Sequence, residues 1–122
     1  MAAPANQRNR PVQVQESPTG QVAVVRLVGD HDLNTIDEVR RALLDVSSRR
    51  LVVIDLGDCT FLDSSVIGIV VAARRRIAQG GGNLVLAHAH GTPARAIKVL
   101  GLAQLIPCFD LEGRPQRSTA SG

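Results

Sequence analysis

The stretch Phe61-Leu62-Asp63-Ser64-Ser65-Val66-Ile67-Gly68 sets two hydroxyls between a carboxylate and an apolar run. A serine in that setting has three chemistries open to it: nucleophile, helix cap or phosphate acceptor. A nucleophile needs an activating base and usually a sharp Gly-x-Ser-x-Gly elbow. No such elbow exists here, and His31, His88 and His90 are scattered with no identifiable partnership to either serine. Catalysis by Ser64 or Ser65 is therefore not expected, and the chain is not read as an enzyme. Asp63 and Ser64 are apt caps, because their side-chain oxygens can accept from the free N–H groups of a first helical turn. Cap and phosphate acceptor both stay open on these residues alone.

Other residues carry weaker signals. His88 and His90 stand two apart at the end of an expected strand, which would put their side chains on one face. Zinc needs three or four ligands and no third is near, so no metal is expected and both read as ordinary loop residues. Gly80-Gly81-Gly82 precedes a strand, and no Gly-Lys-Ser/Thr follows, so it is a turn and not a phosphate loop. No cofactor cradle is apparent.

The elements that must position the two serines alternate along the chain. Val12, Val14 and then Val22 to Val28 read as two strands split by a turn at Ser17-Pro18-Thr19-Gly20. Thr35-Ile36-Asp37-Glu38 has the form of a capping box. Behind it Ile36, Val39, Leu43 and Val46 recur at helical spacing and predict one buried face. Leu51 to Leu56 is a nearly continuous apolar run of the kind found in a strand covered on both faces. A second such strand is expected over Leu84 to Ala87. Pro93 opens a further helix where its missing N–H costs nothing, Gly101 closes it, and Leu105 to Phe109 reads as a last strand.

Val66 to Ile77 is where local propensity misleads. Its β-branched residues suit a sheet. Yet Ser65 to Gln79 would span about 22 Å as a helix, a fair crossover between parallel strands. Cap residues stand at its front, and Arg74-Arg75-Arg76 occupy the last turns, where cations suit the helix dipole. The stretch is read as a helix beginning within about two residues of Ser64. The order is then ββαβαβαβ: a single α/β domain with a mixed sheet of four or five strands, and helices following the β-hairpin. That domain is expected over residues 11–111, with a disordered N-terminal tail at 1–10 and a flexible C-terminal tail at 112–122.

Composition excludes several partners. The 122 residues carry a net charge of +3, include no Trp or Tyr, and have Phe61 and Phe109 as their aromatics. Single-strand binders need aromatic platforms, so direct nucleic-acid binding is not expected. The arginine runs at 40–41, 49–50 and 74–76 read instead as solvated helix faces. The longest apolar run, Val66 to Ala73, falls short of the roughly 20 residues that cross a bilayer. No membrane role is expected, and the two cysteines fit a reducing, cytoplasmic setting.

With these elements in place, three stretches resemble one family. Asp55-Leu-Gly-Asp-Cys-Thr-Phe-Leu-Asp63-Ser64-Ser65 before an apolar helix with Gly68 is similar to the signature of STAS domains, and more narrowly of bacterial anti-anti-sigma factors. Leu27-Val28-Gly29-Asp30-His31-Asp32 resembles the family's earlier hydrophobic–Gly–Glu–Leu–Asp turn. Val99-Leu100-Gly101-Leu102 resembles its Leu–x–Gly–Leu before the last strand. Together they cover roughly Val12 to Phe109, in the right order.

The resemblance implies a partner switch. In unphosphorylated form such a protein binds an anti-sigma factor that is also a serine kinase, and so frees a sigma factor. Phosphorylation of the first serine, here Ser64, ends that binding, and a Ser/Thr phosphatase is a further partner. Asp30, Asp32, Asp63, Ser64, Ser65 and Val66 are the implied partner-binding residues. The alternative is a STAS scaffold or sensor subunit that binds other proteins or a small ligand without phosphorylation. Two departures stand out: Val66 replaces a glycine, and His31 a leucine. Valine is expected to narrow a kinase's access or reshape its contact. The family's sheet order leaves a strand between those of Cys59 and Cys108, and two steps of about 4.8 Å exceed disulfide reach. Two buried, reduced thiols are expected, with redox control as the alternative.

Overall fold

The computed structural model describes residues 10–116. Strands β1 (Val12–Glu16) and β2 (Val22–Leu27) form an antiparallel hairpin. Its turn is closed by Ser17 N–H donating to Val22 O and Gly20 N–H donating to Ser17 O, both at 2.9 Å. Beside β2 run β4 (Leu51–Asp55), β6 (Asn83–Ala89) and β7 (Cys108–Asp110), all parallel to it, in the order β1-β2-β4-β6-β7. Two further short strands, β3 (Gly29–His31) and β5 (Cys59–Leu62), pair in parallel as a separate ribbon. The helices are α1 (Ile36–Asp45), α2 (Ser64–Gln79) and α3 (Gly91–Val99). The mixed five-stranded sheet is as expected; the small β3–β5 ribbon is an addition.

The apolar run of β4 is not covered on both faces. In register across the sheet, Ala23, Val52 and Leu84 form one buried row, and Val25, Ile54 and Leu86 the next. The alternate row Val24, Val53 and Val85 is half-buried. Valine suits a pleated strand whichever face it takes, so the run gave no sign of the alternation.

The α2 stretch is a helix despite its β-branched residues. Val66, Ile67, Val70, Ala73 and Ile77 recur along one stripe and are all buried. Each buried Val or Ile contributes about 1.5–3 kcal/mol, against a helix-propensity penalty of about 0.5. Burial wins. Helices α1 and α2 lie side by side, and Val39, Ala42, Leu43 and Val46 join the same core.

Three local expectations are corrected. Thr35 stands at the N-cap of α1 but makes no side-chain cap bond; its hydroxyl faces the His31 ring instead. Ile36 is half-buried, and Ala42 takes its place on the buried face. The last strand starts at Cys108 and not Leu105, because Gly101 (φ 66) turns the chain into a 3-10 turn at Leu102–Gln104. Ile106 N–H then donates back to Leu102 O at 2.9 Å, using up a group a strand would have needed. Past Asp110 the chain doubles back: Asp110 N–H donates to Arg114 O and Gln116 N–H to Cys108 O, at 2.9 and 2.7 Å. Residues 112–116 thus lie back along β7. Residues 1–9 and 117–122 of the two tails lie outside the described residues.

The arginine runs meet solvent in part: Arg50 is exposed, whereas Arg74 and Arg49, which pairs with Glu16, are half-buried. Arg40 and Arg41 are exposed on α1, as are Arg75 and Arg76 on α2. Among the described residues no helix is long and apolar enough to cross a membrane.

Of the triple glycine, Gly82 has a steric task. A Cβ there would meet Arg49 O at 2.5 Å and Arg50 O at 3.1 Å, both backbone atoms of the turn entering β4. Gly68, by contrast, is exposed in α2, and a Cβ added to it would have nothing within 4 Å. Gly82→Ala should therefore destabilise the domain by about 1–3 kcal/mol. Gly68→Ala should stabilise it by about 0.5–1 kcal/mol through helix propensity. Denaturant midpoints that shift in the same direction for both would contradict this packing.

Candidate functional site

Helix α2 starts at a corner built by Asp63. Its backbone is extended (φ −74, ψ 153), and its N–H donates to His31 O at 2.9 Å, tying the end of β5 to the end of β3. One carboxylate oxygen accepts from Ser64 N–H at 2.8 Å, and the other from the Ser65 hydroxyl at 2.8 Å. The Asp63 carbonyl accepts from Val66 and Ile67 N–H, each at 3.0 Å. One residue thus satisfies three backbone donors and a hydroxyl at a helix end that would otherwise leave them orphaned.

The two serines are not equivalent. Ser65 is half-buried and its hydroxyl is engaged by Asp63. Ser64 is exposed, and its hydroxyl makes no hydrogen bond to the described residues. Among the described residues no base is hydrogen-bonded to it either. The ring of His31 is held by Val28 O and Thr35, His88 by Asp55, and His90 by Gly57 O.

The parallel ribbon brings further carboxylates to the same end. Asp30 lies opposite Phe61 in register, is exposed, and accepts from the Thr60 hydroxyl at 2.6 Å. Asp32 follows directly and accepts from Asn34 N–H at 2.8 Å. Asp30, Asp32, Asp63, Ser64 and Ser65 are thus gathered at the ends of β3 and β5. Val66 is not part of that surface. It is fully buried in the core, so its side chain cannot face a partner, which corrects the expectation of a steric gate.

Three neighbours of this surface escaped sequence reasoning. Thr60 is the hydrogen-bond partner of Asp30, and Phe61 and Leu33 are 41% and 71% exposed. An exposed Phe in a chain this poor in aromatics was the available signal. His31 also went unassigned. It is fully buried; burial pushes its imidazole below the ordinary 6.5, opposed by hydrogen bonds to the Val28 and Pro11 backbone and by the Glu38 and Asp32 carboxylates.

His88 and His90 do not share a strand face by alternation. The chain bulges between Leu86 and Ala89, with His88 in the left-handed region at φ 60. Both rings still turn to one loop: His88 Nδ1 meets Asp55 Oδ1 at 2.9 Å, and His90 Nε2 donates to Gly57 O at 2.8 Å. Burial would raise the Asp55 carboxyl, but Gly57 N–H and His88 hold it below the usual range. The pair braces the ends of β4 and β6. Among the described residues no group of three or more side chains could hold a metal ion.

Cys59 and Cys108 are free and buried. Each donates its S–H to a nearby carbonyl, Cys59 to Phe61 at 3.3 Å and Cys108 to Ile106 at 3.1 Å. Burial pushes both thiols up to about 11.

A family model described as "Mlab, STAS domain" matches residues 2–107. An anti-sigma F factor antagonist of Paenibacillus polymyxa is 29% identical over 104 residues, spanning 83% of this chain and 89% of that protein. The unphosphorylated structure of the anti-sigma factor antagonist SpoIIAA superposes with a TM-score of 0.70 at 21% identity, over 83% of this chain and 90% of that one. The Bacillus cell fate determinant SpoIIAA in phosphorylated form gives 0.63 at 21% identity, over 83% and 93%.

Two expectations follow from this geometry. The cysteines should stay reduced and resist alkylation in the folded protein, reacting together on unfolding; a native disulfide found by mass spectrometry after fast alkylation would contradict it. Val66→Gly should cost about 2–4 kcal/mol, from lost burial plus the helix penalty of glycine. Thermal melts showing Val66→Gly as stable as the parent would place Val66 outside the core.

Proposed function

The chain belongs to the STAS domain family, and from that membership we propose that it is an anti-sigma factor antagonist switched by phosphate at Ser64. In this reading the unphosphorylated form binds an anti-sigma factor of the serine-kinase type in the cytoplasm and frees a sigma factor. Phosphorylation by that kinase ends the binding, and a Ser/Thr phosphatase restores it. The protein itself catalyses nothing.

The observation that carries the reading is the asymmetry of the two serines. A phosphate acceptor must offer a free, accessible hydroxyl, and Ser64 does so while Asp63 occupies Ser65. The cap does not depend on Ser64, so its hydroxyl is spare for modification. Likeness to relatives described as anti-sigma factor antagonists supports the partner class.

The chemistry of the switch follows from charge. A phosphate adds about −1.5 to −2 at neutral pH. The helix N-terminus of α2 tolerates an anion, so the fold should survive. Around it stand Asp30, Asp32 and Asp63, and among the described residues no basic side chain bonds to this corner. The added charge is left for the partner surface to accommodate, where it and its bulk oppose a complementary contact. Phe61 and Leu33, exposed beside the corner, supply apolar anchors for that contact.

The scaffold reading, with Ser64 structural, is less favoured because the Ser64 hydroxyl caps nothing. Redox control through Cys59 and Cys108 is opposed by two buried thiols with raised pKa values.

A kinase assay with the cognate anti-sigma factor, followed by site mapping and affinity measurement, tests the reading. Ser64→Ala should accept no phosphate, bind constitutively and lose under about 0.5 kcal/mol of stability. Ser65→Ala should still be labelled, but lose about 1 kcal/mol with its bond to Asp63. Ser64→Glu should bind more weakly than the parent. Phosphate on Ser65, or equal affinity of modified and unmodified protein, would sink the mechanism.

A further inference from the structure

His31 is the one fully buried polar side chain among the described residues, and the phosphate switch makes no use of its ring. Its Nε2 lies 3.1 Å from Val28 O and its Nδ1 3.0 Å from Thr35 Oγ1. A carbonyl can only accept, so Nε2 carries the proton and Nδ1 accepts from the Thr35 hydroxyl. The backbone of the same residue does a second job, since His31 O receives the N–H of Asp63. Asp63 in turn holds Ser64 N–H and the Ser65 hydroxyl. The residue that carries a buried, titratable ring is therefore joined, through its own backbone carbonyl and two hydrogen bonds, to the proposed phosphate acceptor.

We propose that His31 is a positioning residue for the Asp63–Ser64 corner, and that a second proton on its ring loosens the corner and slows phosphate transfer to Ser64. The phosphate half of this rests on the function proposed above; the positioning half does not.

The second proton can land only on Nδ1. Thr35 must then turn its hydroxyl round to accept, giving its own proton to Asp32 O, 3.4 Å away and a weaker bond. The ring becomes a cation with no water around it. The charges facing it are the carboxylates of Asp32, in the turn after β3, and Glu38, in the first turn of α1. Strand β5 sets uncharged Leu62 opposite, and the start of β1 offers the carbonyl of Pro11. Relief comes if the ring swings out to solvent, drawing His31 O away from Asp63 N–H.

The sign follows from burial. The folded pKa lies below the unfolded value near 6.5, so the neutral arrangement is fully present above 6.5 and is lost as pH falls through the folded value. Between the two, local opening should grow about tenfold per pH unit.

The test is a pH titration of the whole, partner-free protein by NMR, from about pH 7.5 to about pH 5.5, the range in which histidine changes charge. The Asp63 and Ser64 amides should move with the same midpoint as the His31 ring, and the Asp63 amide should lose about tenfold in protection per pH unit. In His31→Leu these changes should vanish, whereas a change driven by the carboxylates would persist. Thr35→Val, should the leucine variant fail to fold, removes the hydroxyl partner and should shift the common midpoint. Amides that stay still while the ring titrates, or that move equally in His31→Leu, would overturn the proposal. With the cognate kinase, the initial labelling rate of the parent relative to His31→Leu should fall severalfold across the same range. Amides that follow the ring without Ser64 ever being labelled would leave the positioning role standing and remove the phosphate switch. Labelling of Ser64 with amides indifferent to the ring would do the reverse.

Discussion

The N–H of Asp63, donated to the carbonyl of His31, is the bond on which the candidate functional end of the molecule depends. It joins two strands that would otherwise be a marginal ribbon, since isolated two-stranded pairs are barely stable in water. It also fixes where α2 begins, because Asp63 then commits its carboxylate to Ser64 N–H and the Ser65 hydroxyl. With Asp63 held from behind and capping in front, Ser64 is the first residue of the helix and the hydroxyl left over. The spare hydroxyl is defined by what its neighbours have already used.

That corner is only as rigid as the helix behind it, and α2 is held by burial. Val66, Ile67, Val70, Ala73 and Ile77 anchor it in the core, where β-branched side chains pack without rotamer choice. Val66, within one turn of the corner, is the first of these anchors. A glycine in its place would leave the helix start less firmly seated. This chain has the seat. Its consequence is that Val66 can influence a partner only through the position of the helix, since its own side chain is out of reach.

Periodicity and cap chemistry made the helices and the parallel strands legible in the sequence, including α2 against its propensity. What stayed hidden has common causes. The half-open sheet face was masked because a Val-rich strand looks the same whether one face is covered or two. The Thr35 capping box failed because the buried imidazole of His31, four residues earlier, competes for the hydroxyl. The short β3–β5 ribbon has too few residues to show a period. Of the candidate site, Asp30, Asp32, Asp63, Ser64 and Ser65 stood out as residue types, but the difference between the two serines did not. It depends on which hydroxyl the Asp63 carboxylate can reach, a matter of angstroms that residue types do not encode.

The distribution of charge explains why a phosphate here would act outward. The basic residues of α2 stand at its far end: Arg74, the first of them, is ten residues from Ser64, about 15 Å along the axis. At physiological salt the screening length is about 8 Å, so a phosphate on Ser64 would scarcely feel those arginines. Nearer to hand are carboxylates, and the Arg26 guanidinium is already paired with Asp58. A phosphate with an internal arginine would be drawn down onto the domain and would reorganise it. One without such a partner stays where it is put, tolerated by the helix end and unneutralised, and its effect falls on whatever surface comes to meet it. An acidic end with a spare hydroxyl is therefore suited to switching an association while leaving the fold alone.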